Sequence, residues 1–298
     1  MLEDWREYRE ITRALGDLVG DAAIPPQIRA GLQYSVENAG KRSRPVMVLL
    51  CGRLCGGTTD MVMNLALATE LLHTASMIHD DVIDGGVTRR KNPTLCMQFD
   101  TPVAVLLGDW LICKAVGLLS AYGPKVIRDF ARAGMAMVHG EILDIRSIPD
   151  RADETAYYTC TMAKTAELFA VSAGNACRIV MEKEDACGCL FKFGKHLGLA
   201  YQLVDDLLEY TAMLDEKESL LESRTLPRIY EERDGCDGAI SRCLQAIRGH
   251  ADESLAALHT FGPSDACTRL EELVGLLTDG MLAARDMNPA TVKGSPEG

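Results

Sequence analysis

The chain has 298 residues, of which 47% are apolar and 25% are charged, and its formal net charge is −12. This size and composition allow one large buried core. The acidic balance excludes nucleic acid as a partner, because phosphate backbones bind basic surfaces. We therefore predict a single domain over residues 1–287, followed by a disordered tail over 288–298 that contains two glycines and two prolines.

The first residues, Met1 to Glu7, are charged and lack the apolar stretch of a signal peptide. No apolar run approaches the roughly 20 residues that cross a bilayer, and the run from Val46 to Cys51 is bounded by Pro45 and Arg53. We predict a cytoplasmic protein with no transmembrane segment and leave peripheral membrane contact open. Eleven cysteines scattered through apolar segments indicate reduced, packed thiols rather than disulfides.

Helical periodicity dominates the chain, and strand-length runs with alternating polarity are missing from the sequence pattern. Glycine, proline and polar breaks separate segments of roughly three to six helical turns. The sequence predicts an all-α domain. The breaks fall at residues 24–26, 56–57, 85–86, 92–93, 123–124, 149–150 and 215–223.

The first functional signal along the chain is a basic cluster at Gly40-Lys41-Arg42-Ser43-Arg44-Pro45, just before an apolar segment. In a chain this acidic, three cations within four residues indicate a local anion site. Taken alone, the cluster is equally well interpreted as a solvated turn.

The segment from about Leu65 to Asp84 is predicted to be one helix that ends in Asp80-Asp81-Val82-Ile83-Asp84 and stops at Gly85-Gly86. Asp80 and Asp84 are four residues apart and share a helix face, whereas Asp81 lies about 100° round. Acids at this spacing often decorate a solvated face. The apolar residues before and within this cluster favour a more buried setting.

Further candidate ligands flank this first cluster. His73 lies two helical turns before Asp80 on the same face, where it can donate to an anion, although a lone histidine on an apolar helix is more often a core residue. Arg89, Arg90 and Lys91 follow the cluster after a short loop. Cations beside carboxylates imply an anion between them, and arginine suits diphosphate because its fork binds two oxygens.

A second acidic cluster, Asp205-Asp206-Leu207-Leu208-Glu209, repeats the spacing of the first, and we predict that it ends a helix from Leu190 to Glu209. Lys164-Thr165 and Tyr201-Gln202 are polar insertions in apolar segments. Each pair alone is more often structural than functional. Gln202 lies about one turn before the acids, so the group together indicates a site.

Carboxylates at the end of a mostly buried helix repel one another and resist desolvation, and the helix dipole adds negative charge there. A divalent cation is the simplest neutralising partner, and all-oxygen ligands favour magnesium or manganese over zinc. Magnesium completes its coordination with water and phosphate oxygens, which indicates a phosphorylated substrate. The six predicted ligands are Asp80, Asp81, Asp84, Asp205, Asp206 and Glu209.

With these residues in place, the chain resembles the trans-type (head-to-tail) isoprenyl diphosphate synthases, also called polyprenyl synthetases. The resemblance spans about residues 38–230 and rests on Gly40-Lys41-x-x-Arg44-Pro45, Leu72-His73, Asp80-Asp81-x-x-Asp84, Arg89-Arg90, Gly108-Asp109, Gly140-Glu141, Lys164-Thr165, Tyr201-Gln202 with Asp205-Asp206-x-x-Glu209, and Thr225-Leu226-Pro227.

The resemblance implies an all-α fold around a deep central apolar cavity, usually in a homodimer, which joins isopentenyl diphosphate to an allylic diphosphate with up to three magnesium ions. It assigns isopentenyl diphosphate to Lys41, Arg44, His73 and Arg90. It assigns the allylic substrate to Arg89, Lys164, Thr165 and Gln202, with the six acids as metal ligands. Lys217 is a candidate for a missing charge in the loop over 215–224, where Ser223 stands in place of an expected lysine.

This assignment agrees with the chemistry of the residues. Charge builds on the leaving diphosphate, where metal ions with arginine and lysine stabilise it. The allylic cation requires a dry cavity, in which Thr165 and Gln202 oxygens are placed to stabilise it. In the family the proton that leaves at the end goes to the released diphosphate.

Two alternatives remain open. A terpene cyclase of related fold also ionises prenyl diphosphates, but its second metal motif carries Asn, Ser and Glu, and it needs no isopentenyl site. A non-catalytic subunit of a heteromeric synthase is favoured only by the atypical, acidic 215–224 loop.

Small residues above the first cluster bear on product length. Short-chain members of the family commonly carry an aromatic residue four or five positions before the first aspartate, and Ser76 and Ala75 stand there. The next turn offers only Leu72. We predict a product of geranylgeranyl length or longer.

Overall fold

In the computed structural model, which describes residues 1–38, 40–146, 153–216 and 225–284, the chain is almost entirely helical and forms two compact units. The first unit comprises Met1–Arg128 with Ile179–Met181, and the second comprises Asp129–Arg178 with the remainder from Glu182. The all-α prediction is confirmed. The single domain over 1–287 stays a prediction, and the tail over 288–298 lies outside the described residues.

The first unit is built around one long helix, α4. The described helices and strands of this unit are α1 (Arg6–Val19), α2 (Pro26–Glu37), α3 (Ser43–Leu54), α4 (Thr59–Ile83), β1 (Thr88–Arg89), β2 (Asn92–Pro93), α5 (Leu95–Gln98) and α6 (Thr101–Leu119), with 3₁₀ turns at Leu2–Asp4 and Ser120–Tyr122. Helix α4 packs between α3 and α6, and its residues 65–71 are all buried. Every face of this stretch is covered, as expected for a core helix.

The second unit is organised around α10 and α11, which pack along each other. Its described helices are α7 (Pro124–Arg146, which begins in the first unit), α8 (Glu154–Thr161), a π-helical turn (Met162–Ala166), α9 (Glu167–Met181, whose last three residues belong to the first unit), α10 (Glu184–Glu216), α11 (Leu226–Leu258), α12 (Asp265–Leu277) and α13 (Asp279–Ala283), with a 3₁₀ turn at His259–Phe261. Helix α11 is interrupted at Gly235, where φ is 69°.

The predicted end of the first acidic helix is confirmed. Helix α4 ends at Ile83 with Asp84 as its cap, Gly85 has φ 62°, and the Gly86 N–H donates to the Asp81 carbonyl at 2.9 Å. This is the left-handed glycine stop of a Schellman motif. The helix begins at Thr59, six residues before the predicted start.

The predicted end of the second acidic helix was wrong. Helix α10 continues past Glu209 to Glu216, so this cluster lies inside a helix. The cause is local: the residues that follow contain no glycine or proline, and Tyr210 is buried and extends the apolar face of the helix. Of the two acidic clusters, only the first therefore lies at the negative end of a helix dipole.

A two-residue hairpin interrupts the helices after α4, where the sequence predicted no strand. Strands β1 and β2 are antiparallel, with Arg89 opposite Asn92, and Arg90 and Lys91 form the loop with φ of 50° and 68°. Positive φ at both loop positions matches the twist of a two-residue hairpin, but asparagine and glycine usually occupy them. The basic residues thus hold a conformation that their side chains disfavour.

Two described helical segments, α4 and Thr101–Tyr122, are long and apolar enough to cross a membrane by length and composition. The sequence analysis counted unbroken apolar runs, whereas this comparison takes whole helices with their few charged residues, so the absence of a transmembrane segment stays a prediction. In the most apolar part of α4, 61% is buried inside the protein, as in core helices of globular proteins; for Thr101–Tyr122 the share is 33%.

Candidate active site

The first acidic cluster has one buried acid and two accessible ones. Asp81 is buried, and its Oδ1 accepts hydrogen bonds from Nε and Nη2 of Arg89, both at 2.8 Å. Asp80 is half-buried and Asp84 is exposed. A protein cation therefore neutralises the middle acid, while the outer pair shares one helix face at the end of α4.

The outer acids suit an oxygen-preferring divalent cation. Asp80 and Asp84 offer hard carboxylate oxygens beside the last carbonyls of α4, where the helix dipole favours positive charge. Among the described residues, no three His, Cys, Asp or Glu side chains form a closed metal cluster. Water and substrate phosphate would have to supply the remaining ligands, as is usual for magnesium.

The strained hairpin loop is locked to the Gly40 segment. A Cβ atom at Gly40 would meet the Arg90 guanidinium, so the absence of a side chain at Gly40 lets Arg90 lie against this segment. The Arg90 Nη1 donates to the Asn38 carbonyl at 3.3 Å, and Asn92 Nδ2 donates to Asn38 Oδ1 at 2.7 Å. Left-handed backbone at such positions costs about 1–3 kcal/mol per residue and is concentrated at functional sites.

A cavity of about 70 Å³ lies beside this hairpin, within the first unit. Its lining includes residues from all three predicted binding roles: His73 and Arg90 from the isopentenyl set, Arg89 from the allylic set, and Asp81 from the metal set. Arg44 reaches the same place, because its Nη1 lies 3.2 Å from His73 Nε2. Lys41 is exposed at the start of this segment.

The His73 ring is neutral in this setting. Loss of water around the ring, followed by the charges of Arg44, Arg90 and Arg89, holds the pKa of His73 well below its usual value. Arginine can only donate, so His73 Nε2 accepts from Arg44 and the ring hydrogen lies on Nδ1. If His73 donates to an anion, as the sequence suggested, it must do so through Nδ1.

A buried glutamate that the sequence analysis missed also lines the cavity. Glu70 is 3% exposed, and its Oε2 has no hydrogen-bond partner among the described residues. Burial raises the pKa of Glu70, while the charges of Arg44, Arg42 and Arg90 act in the opposite direction. An acid inside an otherwise apolar helix is the signal that would have found it.

In the second unit, the π-helical turn carries Lys164 and Thr165. Lys164 Nζ contacts Glu141 Oε2 at 2.7 Å and Asp144 Oδ2 at 2.8 Å. Burial works to lower the pKa of Lys164, but these two carboxylates raise it above its usual value. The lysine is thus a fixed cation held from α7. Such π-helical turns are frequent at functional sites.

Two glycines allow neighbouring helices to approach this turn. A Cβ on Gly140 of α7 would lie 2.7 Å from the Lys164 backbone nitrogen, and one on Gly198 of α10 would lie 2.7 Å from Ala166 Cα. Both positions are too tight for any larger residue. The sequence showed Gly140-Glu141 as a motif, and the structure supplies its physical reason.

Asp206 is the centre of a hydrogen-bond chain. Its Oδ2 accepts from the Tyr157 hydroxyl at 2.6 Å and its Oδ1 accepts from Gln202 Nε2 at 2.8 Å, while Gln202 Oε1 accepts from Thr165 Oγ1 at 2.8 Å. Burial raises the pKa of Asp206 to about 6, even though these hydrogen bonds act to lower it. Both carboxylate oxygens are thus engaged by the protein.

The second cluster therefore repeats the arrangement of the first. Asp205 is half-buried and Glu209 is exposed, whereas Asp206 between them is buried. Burial, followed by the nearby Asp205, raises the pKa of Glu209. Lys217 lies outside the described residues, as does the rest of the atypical loop from 217 to 224.

The structure thus groups the predicted residues into two sets, one in each unit. We name them the hairpin cluster, which comprises Lys41, Arg44, His73, Asp80, Asp81, Asp84, Arg89 and Arg90, and the π-turn cluster, which comprises Lys164, Thr165, Gln202, Asp205, Asp206 and Glu209. The sequence analysis missed Glu70 in the first set and missed Asp144 and Tyr157 in the second.

Comparison with known proteins shows one family. The model of the family described as polyprenyl synthetase matches residues 25–219. The geranylfarnesyl diphosphate synthase of Methanosarcina mazei is 36% identical over 281 residues, which cover 94% of this chain and 95% of that protein. The geranylgeranyl diphosphate synthase of Sulfolobus acidocaldarius is 31% identical over 226 residues, covering 71% of this chain and 67% of that one.

Solved structures agree with the sequence relatives. A geranyltranstransferase from Methanosarcina mazei superposes with a TM-score of 0.83 and 34% identity, covering 95% of this chain and 100% of that one. A polyprenyl synthase from Caulobacter crescentus, solved with calcium and isoprenyl diphosphate, has a TM-score of 0.81 and 28% identity, covering 91% of this chain and 94% of that one.

Proposed function

This chain belongs to the polyprenyl synthetase family, and on that premise we propose that it is a magnesium-dependent prenyltransferase that condenses isopentenyl diphosphate with an allylic diphosphate. The observation that carries the proposal is the repeated acidic cluster, with a buried, hydrogen-bonded middle acid between two accessible acids. The family uses isopentenyl and allylic diphosphates as substrates, which matches the cations found beside both clusters.

We assign the metal ions to the outer acids. Asp80 and Asp84, with Asp205 and Glu209, are the accessible carboxylates and bind up to three magnesium ions, for which manganese can substitute. Asp81 and Asp206 remain in the site, but their contacts fit them for holding Arg89 and Gln202 in place. When bound, the metal ions neutralise charge on the allylic diphosphate as it leaves.

The basic side of the first-unit cavity is assigned to isopentenyl diphosphate. Arg44 and Arg90 present forked donors, Lys41 adds a compact charge, and neutral His73 offers a ring N–H. Arg90 lies against Gly40 and donates to the Asn38 carbonyl, which places its guanidinium beside the cavity.

The reaction breaks the allylic carbon–oxygen bond and makes one carbon–carbon bond. The family resemblance assigns Arg89 and Lys164 to the charge that develops on the leaving diphosphate, because fixed cations stabilise such charge. Oxygens of Thr165 and Gln202 stabilise the allylic cation until the isopentenyl double bond attacks it. The proton then lost from the new chain passes to the released diphosphate, so the atoms and charges balance.

The product is assigned to geranylgeranyl length or longer. Ala75 and Ser76 are small residues at the positions before Asp80 where short-chain members of the family carry an aromatic side chain that blocks a growing chain. The names of relatives include geranylgeranyl, geranylfarnesyl and octaprenyl diphosphate synthases, which supports this range.

We further propose that the protein is a cytoplasmic homodimer associated through α6. Val105, Leu106, Ile112 and Val116 expose between 37% and 66% of their surface on this helix. An apolar helix surface of this kind marks a contact with another protein or a membrane. Light scattering should give twice the chain mass; a single-chain mass would contradict this assignment.

The function is tested by incubating the purified chain with isopentenyl diphosphate, magnesium and each short allylic diphosphate, and identifying the prenyl products. We expect elongated all-trans diphosphates and one diphosphate released per condensation. Products formed without isopentenyl diphosphate would indicate a terpene cyclase. No turnover by the purified single chain with any primer would indicate a non-catalytic subunit.

A further inference from the structure

Tyr157 is a buried tyrosine that the proposed reaction does not use. It lies on α8, is 7% exposed, and donates its hydroxyl hydrogen to Asp206 Oδ2 at 2.6 Å. Thr161 lies one helical turn further along the chain, where its hydroxyl acts to lower the pKa of Tyr157. The Tyr157 hydroxyl points at the middle acid of the π-turn cluster.

The hydrogen-bond chain beyond Tyr157 has a single consistent direction. An ionised carboxylate can only accept, so Asp206 requires the NH₂ group of Gln202 at its other oxygen. The Gln202 carbonyl oxygen then faces Thr165, whose hydroxyl hydrogen is donated to it at 2.8 Å. Thr165 is left with its oxygen lone pairs for any further contact.

This direction matters for a reaction with a cationic intermediate. Lone pairs on Thr165 and the carbonyl oxygen of Gln202 stabilise positive charge, whereas a hydroxyl hydrogen or an amide NH₂ group repels it. An amide that rotates by 180° would present the wrong atoms at almost no change in shape. Some group must therefore hold the chain in one direction, and Asp206 with two donors does so.

We propose that Tyr157 is a positioning residue for condensation: through Asp206 it fixes the Gln202 amide, so that oxygen atoms of Gln202 and Thr165 face the allylic cation. The inference rests on the proposed function of the site. Without the tyrosine hydroxyl, Asp206 Oδ2 loses its donor in a buried position, and the carboxylate is free to rotate.

The matched variants are Tyr157→Phe and Tyr158→Phe. The Tyr158 ring packs edge-on against the His250 ring, with 5.6 Å between the ring centres. Tyr158→Phe is therefore the control for loss of a tyrosine hydroxyl on the same helix. For Tyr157→Phe we expect kcat to fall by about tenfold to a hundredfold, as for loss of a hydrogen bond to a charged group. The KM for isopentenyl diphosphate should change by less than about twofold, and Tyr158→Phe should match wild type.

A double-mutant cycle separates positioning from a general loss of stability. If Tyr157 acts through Asp206, then adding Tyr157→Phe to Asp206→Asn should reduce kcat little further. We also expect a larger fraction of the allylic substrate to be hydrolysed instead of condensed. If Tyr157→Phe melts below the assay temperature, Thr161→Val tests the same chain and should lower kcat in the same direction.

An unchanged kcat in a folded Tyr157→Phe protein, or losses that multiply in the double mutant, would overturn the inference and leave the proposed function standing. A wild-type chain that condenses no primer would overturn both. A fall in kcat with a matching rise in hydrolysis supports the positioning role.

Discussion

The two acidic clusters have the same spacing of carboxylates but different surroundings. In the hairpin cluster, the acids end a helix, and the middle acid Asp81 is paired with the cation Arg89. In the π-turn cluster, the acids lie inside a long helix, and the middle acid Asp206 is held by the neutral donors Tyr157 and Gln202. The equal spacing thus places the outer acids of each cluster on one helix face, whereas the hydrogen-bond partners of the middle acid differ between the clusters.

The electrostatic consequence differs between the clusters. The ion pair with Arg89 balances the negative charge of Asp81 before any ligand binds. Neutral donors leave Asp206 with an uncompensated charge in a buried place, and burial raises its pKa to about 6. The cation of the π-turn cluster, Lys164, is instead tied to Glu141 and Asp144.

The largest effect is expected from an outer acid of the hairpin cluster. Asp80→Asn should lower kcat by about a thousandfold or more, because it removes a metal ligand from the charge-neutralising site. Asp81→Asn should instead act through Arg89, with a smaller loss and a nearly unchanged magnesium requirement. Activity measured against magnesium concentration tests this; equal shifts for both variants would erase the distinction between outer and middle acids.

A smaller but still large effect is expected at the π turn. Gly140→Ala places a methyl group 2.7 Å from the backbone nitrogen of Lys164. We expect this contact to displace Lys164 and to lower the free energy of unfolding by about 1–3 kcal/mol. Gly134→Ala on the same helix is the control, because nothing lies within 4 Å of its added Cβ. Thermal unfolding and the KM for the allylic substrate report the result, and equal behaviour of the two variants would contradict close packing at Gly140.

The length of the product should depend on the size of the side chains that precede Asp80 on helix α4. Ala75→Phe and Ser76→Phe are each expected to shorten the product by one or more five-carbon units. Ala75 is 1% exposed, whereas Ser76 is half-buried and donates its hydroxyl to the His73 carbonyl at 2.9 Å. Chromatography of the products, with melting temperatures as a check on folding, identifies the wall residue; an unchanged product removes that residue from the wall.

The smallest effect is a pH dependence from Glu70. Burial raises its pKa above the unfolded value of 4.5, so its protonated form favours folding and its ionised form opposes it. The stability it contributes is full below 4.5 and declines as the pH rises through the raised folded value. Glu70→Gln cannot ionise, so its stability relative to wild type should increase from pH 4.5 towards neutrality.

Melting temperatures of Glu70→Gln and wild type between pH 4 and 8 measure this difference. The charges of Arg44, Arg42 and Arg90 oppose the shift, so a constant offset across the range would mean that they cancel the effect of burial.

The sequence alone predicted the helical class of the fold and the relative placement of the acids within each cluster. Helical periodicity predicted the all-α class, and the Gly85-Gly86 stop marked the end of α4. The four-residue spacing of Asp80 and Asp84 placed both on one face. These features are local, because a helix repeats every few residues and one stretch of sequence contains the information.

Other features depended on the tertiary structure. The length of α10, the π turn and the strained Arg90-Lys91 loop are not visible in periodicity, because packing overrides local preference at each of them. Likewise, the donor to Asp206 comes from Tyr157, 49 residues away. The sequence by itself therefore determined which carboxylates share a face, and only the folded chain decided which of them are buried, since the residues that cover a side chain come from distant segments that packing brings together.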